Sequence, residues 1–122
     1  MQLNGPICIV DDEPAIRETL EGIFKDEGYP VVSCKDADAF GTQLKKTVPS
    51  LVLLDVWLPG RDGMAVLNEL RRIHPELPVI MMSGHAGIES AVTAIKLGAR
   101  DFLEKPLQLE ALLDKVAATL SQ

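Results

Sequence analysis

The sequence predicts an α/β fold, a doubly wound parallel sheet of five strands flanked by five helices. Short apolar runs rich in β-branched residues alternate along the whole chain with stretches of helical periodicity. Within each of the three longest runs the apolar residues are consecutive, the pattern of strands covered on both faces. Each of these runs breaks off abruptly at a polar residue.

Taken in order, Ile7-Cys8-Ile9-Val10 is the first strand and stops at Asp11-Asp12. Pro14 suits the first turn of the helix that follows, where a missing N–H costs nothing. Ile16, Leu20, Ile23 and Phe24 share one helical face, and Gly28 ends it. Val31-Val32 is a shorter strand nearer an edge. Asp36 is placed to cap a second helix carrying Phe40, Leu44 and Val48. Leu51-Val52-Leu53-Leu54 is the third strand and stops at Asp55. Asp62-Gly63 has turn and helix-start chemistry. Met64, Leu67, Leu70 and Ile73 mark the third helix, closed by His74-Pro75. Val79-Ile80-Met81-Met82 is the fourth strand and stops at Ser83-Gly84. Ile88, Val92, Ile95 and Ala99 give the fourth helix its apolar face, with Gly98 near its end. Asp101-Phe102-Leu103-Glu104 reads as an edge strand before Lys105. Leu109, Leu112, Leu113, Val116 and Leu120 form the fifth helical face. Repeated strand–helix alternation implies right-handed crossovers, with the functional crevice at the carboxyl ends of the strands.

The 122 residues suit one domain, residues 1–122. At 47% apolar and 25% charged, the chain fits neither wholesale disorder nor a fibrous repeat. A formal charge of −6 makes it a poor binder of nucleic acid by itself. No apolar run approaches the roughly 18 residues of a membrane span, and the N-terminus turns acidic too early for a signal peptide. Cys8 and Cys34 each lie in an apolar stretch and read as buried, reduced thiols of a cytoplasmic protein.

The residues at the strand ends carry the chemistry. In a parallel sheet Asp11, Asp12, Asp55, Ser83 and Lys105 all converge on one rim. Any one of the aspartates alone reads more simply as a turn or capping residue. All five at strand ends is a much less ordinary coincidence. Three carboxylates so close repel unless a cation or a lysine offsets them. Oxygen ligands alone suit a hard ion, Mg²⁺ or in its place Mn²⁺. A carboxylate beside such an ion is able to attack a phosphoryl group and hold it as an acyl phosphate. The Ser83 hydroxyl and the Lys105 ammonium are suited to phosphoryl oxygens.

Four blocks now resemble a known family. Ile9-Val10-Asp11-Asp12-Glu13, the stretch from Leu53 to Gly63 (LLDVWLPGRDG), Met82-Ser83-Gly84 and Glu104-Lys105-Pro106 resemble the signature blocks of bacterial two-component response-regulator receiver domains. The wording of LPGRDG, Ser83-Gly84-His85 and the Ala94–Ala99 stretch (AIKLGA) is most similar to the nitrogen-regulation (NtrC/NtrX-like) class. The resemblance spans essentially the full chain. It implies the flavodoxin-like receiver fold with strand order 2-1-3-4-5. It implies that Asp55 is the phosphoacceptor, and that Asp11, Asp12, Asp55 and the backbone carbonyl of Trp57 hold Mg²⁺. Ser83 matches the switch hydroxyl, Lys105 the phosphate-contacting lysine, and Phe102 the switch aromatic, here without a tyrosine hydroxyl. The Lys105–Pro106 bond is expected to be cis. Trp57 and His85 match positions that tune access of water to the acyl phosphate.

The implied partner is a sensor histidine kinase. The implied response is a repacked surface on helix 4, strand 5 and helix 5, a homodimer through that face, and control of an output, transcription. The domain is then a phosphoacceptor that assists its own phosphoryl transfer and dephosphorylation rather than a free-standing enzyme. It binds no nucleic acid itself and no membrane. Other readings fit less well. A haloacid-dehalogenase-like phosphohydrolase needs a second acid two residues after the nucleophile, where this chain has Trp57. A flavin carrier needs a glycine- and hydroxyl-rich first turn, where this chain has Asp11-Asp12-Glu13-Pro14. A degenerate receiver used only for docking does not need the five intact residues.

Overall fold

The computed structural model describes residues 5–84 and 88–121. Five parallel strands make one sheet: β1 (Ile7–Val10), β2 (Val31–Cys34), β3 (Leu51–Asp55), β6 (Val79–Ser83) and β7 (Asp101–Glu104). A small antiparallel hairpin of β4 (Trp57–Leu58) and β5 (Arg61–Asp62) follows β3. The helices are α1 (Pro14–Asp26), α2 (Ala37–Lys46), α3 (Gly63–Ile73), α4 (Ile88–Lys96) and α5 (Leu109–Leu120). The sheet order is β2-β1-β3-β6-β7. With the hairpin set aside, this is the 2-1-3-4-5 order and the doubly wound receiver fold.

The consecutive apolar runs divide by parity between the two faces of the sheet. Cys8, Val10, Val52, Leu54, Val79 and Met81 pack on one side, with Phe40 of α2, Leu67 and Leu70 of α3 and Ala94 of α4. Ile7, Ile9, Leu53, Ile80, Met82 and Leu103 pack on the other, with Leu20 and Phe24 of α1 and Leu112 and Val116 of α5. Each large side chain buried this way contributes on the order of 2 kcal/mol. Cys8 and Cys34 are buried free thiols whose Sγ atoms lie 3.8 Å apart. Among the described residues no helix is long and apolar enough to cross a membrane.

The helix starts follow local chemistry. Pro14 opens α1, Asp36 caps α2 by accepting from Ala39 N–H at 2.8 Å, and Asp62 accepts from Met64 N–H at 2.9 Å. Gly28 ends α1 with φ +83°. Gly63 answers a different need. A Cβ there would sit 2.1 Å from the Asp55 carbonyl oxygen and 2.8 Å from Val56 Cα, both backbone atoms that cannot step aside. Gly63→Ala is therefore expected to lower stability by about 2 kcal/mol, read as a fall in the urea midpoint. An unchanged midpoint would show that α3 can shift without cost.

The structure departs from the sequence expectations in five places. Val48 lies beyond the end of α2 at Lys46 and is exposed rather than on its buried face. The stripe Ile88, Val92 and Ile95 of α4 does not face the sheet. These residues are 83%, 44% and 49% exposed, and Ala94 is the residue α4 buries. Ile73 and Leu109 are likewise exposed, and Val66 replaces Ile73 on the buried face of α3. Strands β3 and β6 run one residue further than their apolar runs, through Asp55 and Ser83, because both residues still pair with neighbouring strands. The hairpin after β3 was not expected. Gly60, at φ +76°, lies between its two strands. The Arg71 guanidinium of α3 donates to the carbonyls of Pro75 and Leu77 in the loop after α3, and at 3.5 Å to that of Gly98 just past α4.

Candidate functional site

The sheet register determines which side chains meet. Val10 lies opposite Leu54, so Asp11 follows β1 beside Asp55 at the end of β3. Asp55 lies opposite Met82 and Ser83 opposite Glu104, which brings Lys105 to the same rim. The chain leaves β1 toward β2 and leaves β3 toward β6. The carboxylates therefore stand at the point where the winding reverses, where such sheets open a crevice.

Three carboxylates converge there. Among the described residues, Asp11, Asp12 and Asp55 offer oxygens that all lie within 4.8 Å of one another. Asp11 and Asp55 are buried, and Asp12 is exposed. Lys105 reaches into the group. Its Nζ donates to Asp11 Oδ2 at 2.7 Å, to Asp55 Oδ2 at 3.2 Å and to Glu13 Oε1 at 3.4 Å, with 12% of its side chain exposed. Like charges about 4 Å apart at an effective dielectric of about 20 repel by roughly 4 kcal/mol. The ammonium is the offset. Burial alone would lower the Lys105 pKa, but the hydrogen bond and charge of Asp11 and the charge of Asp55 outweigh it and raise the pKa. The Asp55 carboxyl is pushed above its ordinary value by burial, against the pull of Lys105 and the Trp57 N–H.

Asp11 is held on every side. Its N–H donates to the Cys34 carbonyl at 3.1 Å, and its Oδ1 accepts from Glu13 N–H at 2.9 Å. Its carbonyl accepts from Arg17 Nη1 at 2.8 Å. Asp55 Oδ1 accepts from Trp57 N–H at 3.2 Å, which orients the carboxylate. The Trp57 side chain is 64% exposed and lines a groove of about 310 Å³ with Asp62, Met64 and, from α4, Glu89, Ser90 and Thr93. Ser83 is buried at the end of β6, and its carbonyl accepts from Lys105 N–H at 2.9 Å. The Lys105–Pro106 peptide is cis. Phe102 is half-buried on β7, packed against the core on the α2–α3–α4 side. His85 lies outside the described residues.

Two further residues enter the site. Glu13, from its place in the sequence, reads either as a first-turn residue favoured by the helix dipole or as an outer member of the metal shell. It occupies the N-cap position of α1 without capping it, and its carboxylate goes to Lys105 instead. Arg17, four residues further on, carried no sequence signal, because a side chain meeting a backbone carbonyl leaves no pattern.

An all-oxygen donor set of this size fits a divalent cation. Adjacent oxygens around Mg²⁺ are about 3 Å apart and opposite ones about 4 Å, a spacing small side-chain adjustments bring within reach. Asp11 Oδ2 is engaged by Lys105 at 2.7 Å, so ammonium and cation would share the Asp11 carboxylate.

Residues 7–117 match the family model of the response regulator receiver domain. The chain belongs to this family. The receiver is 48% identical over 109 residues to "Nitrogen assimilation regulatory protein NtrX" of Azorhizobium caulinodans, covering 88% of this chain and 24% of that protein. It is similar in structure to the receiver domain of NtrX from Brucella abortus, with TM-score 0.90 and 45% identity over 95% of this chain and 98% of that one. It is also similar to the beryllofluoride-activated NtrC4 receiver domain dimer, with TM-score 0.90 and 33% identity over 95% and 96% of the two chains. The receiver spans about a quarter of the length of the NtrX relatives it matches. It is a receiver domain of the two-component response-regulator family, and relatives it matches include the "Transcriptional regulatory protein FixJ" of Bradyrhizobium diazoefficiens, 34% identical over 122 residues.

Proposed function

We propose that residues 1–122 form a phosphoacceptor domain that takes a phosphoryl group onto Asp55 from the phosphohistidine of a sensor histidine kinase. One observation carries this reading. A single ammonium, that of Lys105, lies within hydrogen-bond reach of both Asp11 and Asp55, residues separated from it by 94 and 50 positions in the chain.

Asp11, Asp12 and Asp55, with the Trp57 carbonyl, would hold Mg²⁺ or Mn²⁺. When bound, the ion offsets negative charge on the phosphoryl oxygens. Asp55, oriented by the Trp57 N–H, attacks in line. The O–P bond forms as the P–N bond to the donor imidazole breaks. Lys105 yields Asp11 and follows the transferred group as a point charge. The Ser83 hydroxyl donates to a phosphoryl oxygen, and Phe102 turns inward behind it, so a local gain of about two negative charges biases a two-state element. The apolar stripe Ile88, Val92 and Ile95, exposed on α4, is part of the surface of α4, β7 and α5 through which the phosphorylated domain pairs with a second copy. The domain works in the cytoplasm, is not a free-standing enzyme, and controls transcription through the rest of its protein.

Acetyl or carbamoyl phosphate with millimolar Mg²⁺ is expected to add one acid-labile phosphoryl group, seen by intact mass. The group should not appear when EDTA replaces the metal, and light scattering on the same sample should show the shift toward dimer. Equal uptake in EDTA would remove the metal from the reaction. No uptake in Mg²⁺ would sink the phosphoacceptor reading.

A further inference from the structure

We propose that Arg17 is a positioning residue for the cation-holding half of the site. It keeps the Asp11-Asp12 turn in the shape that converges the carboxylates, and so sets the affinity for the divalent ion. The proposal rests on the metal reading above and adds a residue that lies outside the ligand set.

Every polar group of Asp11 is engaged. The β1–β2 neighbourhood holds its N–H, the turn's own backbone holds Oδ1, and Lys105 holds Oδ2. Of these, the Lys105 contact is the one a cation at the same carboxylate would compete for. The fourth polar group is the carbonyl, and Arg17 Nη1 is its donor at 2.8 Å. That carbonyl belongs to the peptide joining Asp11 to Asp12, so its direction sets the plane from which the Asp12 backbone departs. Asp12 is exposed, and among the described residues no hydrogen bond or ion pair holds its carboxylate in place. The orientation of the peptide before it is therefore what aims it at Asp11 and Asp55.

Arg17 is built for this task. Its own N–H donates to the Glu13 carbonyl at 3.1 Å, which seats it in the first turn of α1. One residue thus grips both ends of the turn, the Glu13 end through its backbone and the Asp11 end through its guanidinium. The side chain is half-buried, and a charged donor to a neutral carbonyl makes a stronger bond than a neutral donor would. Residues that orient metal ligands without touching the ion typically change affinity by about 10–100-fold when removed.

The test measures Mg²⁺ binding by calorimetry on the phosphodonor-free protein, for the parent, Arg17→Ala and Arg17→Lys, with a melting curve in EDTA for each. Arg17→Ala is expected to weaken Mg²⁺ binding about tenfold, and Arg17→Lys, which keeps a charged donor, to recover most of the loss. At saturating Mg²⁺ the rate of phosphoryl uptake from acetyl phosphate should return to within about twofold of the parent, because Arg17 touches neither the donor nor Asp55. The proposal is overturned if Arg17→Ala binds Mg²⁺ as the parent does. It is equally overturned if uptake stays depressed at saturating metal, which would place Arg17 in the chemistry instead. A parent protein that binds no Mg²⁺ would bring down the metal reading first, and this one with it.

Discussion

Asp55→Asn is expected to take up no detectable phosphoryl group, a loss of at least about a thousandfold, while the domain stays folded. An amide oxygen lacks the charge and the lone-pair reactivity of a carboxylate and cannot form an acyl phosphate. The shape, however, is kept. Asn at this position still presents an oxygen to the Trp57 N–H, which Asp55 Oδ1 receives at 3.2 Å; its NH2 then faces Lys105, whose ammonium keeps Asp11 and Glu13 as acceptors. Removing one of three crowded carboxylates also relieves repulsion in a buried place, so thermal stability without metal should equal or exceed that of the parent. Intact mass after incubation with acetyl phosphate and Mg²⁺, beside a melting curve, reads both. Label that persists in the variant would move the nucleophile to Asp11 or Asp12.

Lys105→Ala should separate three things that the parent protein joins. The substitution strips the cation from two buried carboxylates, and breaking a buried pair costs about 3 kcal/mol, so the urea midpoint in EDTA should fall. Mg²⁺ should restore much of that loss by binding the folded state. Its affinity should hold or tighten, because Asp11 Oδ2 is no longer occupied by the ammonium at 2.7 Å. Phosphoryl uptake, in contrast, should slow by roughly a hundredfold, the usual effect of removing one group that offsets transition-state charge. Uptake at the parent rate would take Lys105 out of the mechanism. Metal binding that disappears with Lys105 would mean that the ammonium organises the carboxylates rather than competing for them.

Much of this was legible in the amino-acid sequence for a physical reason. Strands covered on both faces must be apolar at every position, so the place where Val10 gives way to Asp11, or Leu54 to Asp55, marks a sheet rim in plain text. The four signature blocks then supplied roles that spacing alone could not. What stayed hidden depends on contacts between elements. Periodicity identified a stripe of Ile88, Val92 and Ile95 on one side of α4, but a stripe says nothing about whether sheet or solvent lies opposite. Position alone leaves Glu13 between helix-start and metal-shell chemistry; its carboxylate lies 3.4 Å from the Lys105 ammonium. The need for glycine at position 63 arises only because α3 begins against the Asp55 carbonyl.

The outward turn of α4 has an energetic consequence. Other helices anchor themselves in the interior with leucines, a phenylalanine and valines, whereas α4 commits a single alanine, and just past its C-terminal end the Gly98 carbonyl accepts one long bond from Arg71. A helix with so small a hydrophobic stake opens locally at far less expense than unfolding the domain. Such a loosely moored segment can be re-seated by a modest push from the charged rim, and the aliphatic residues it already shows to water give it somewhere else to settle.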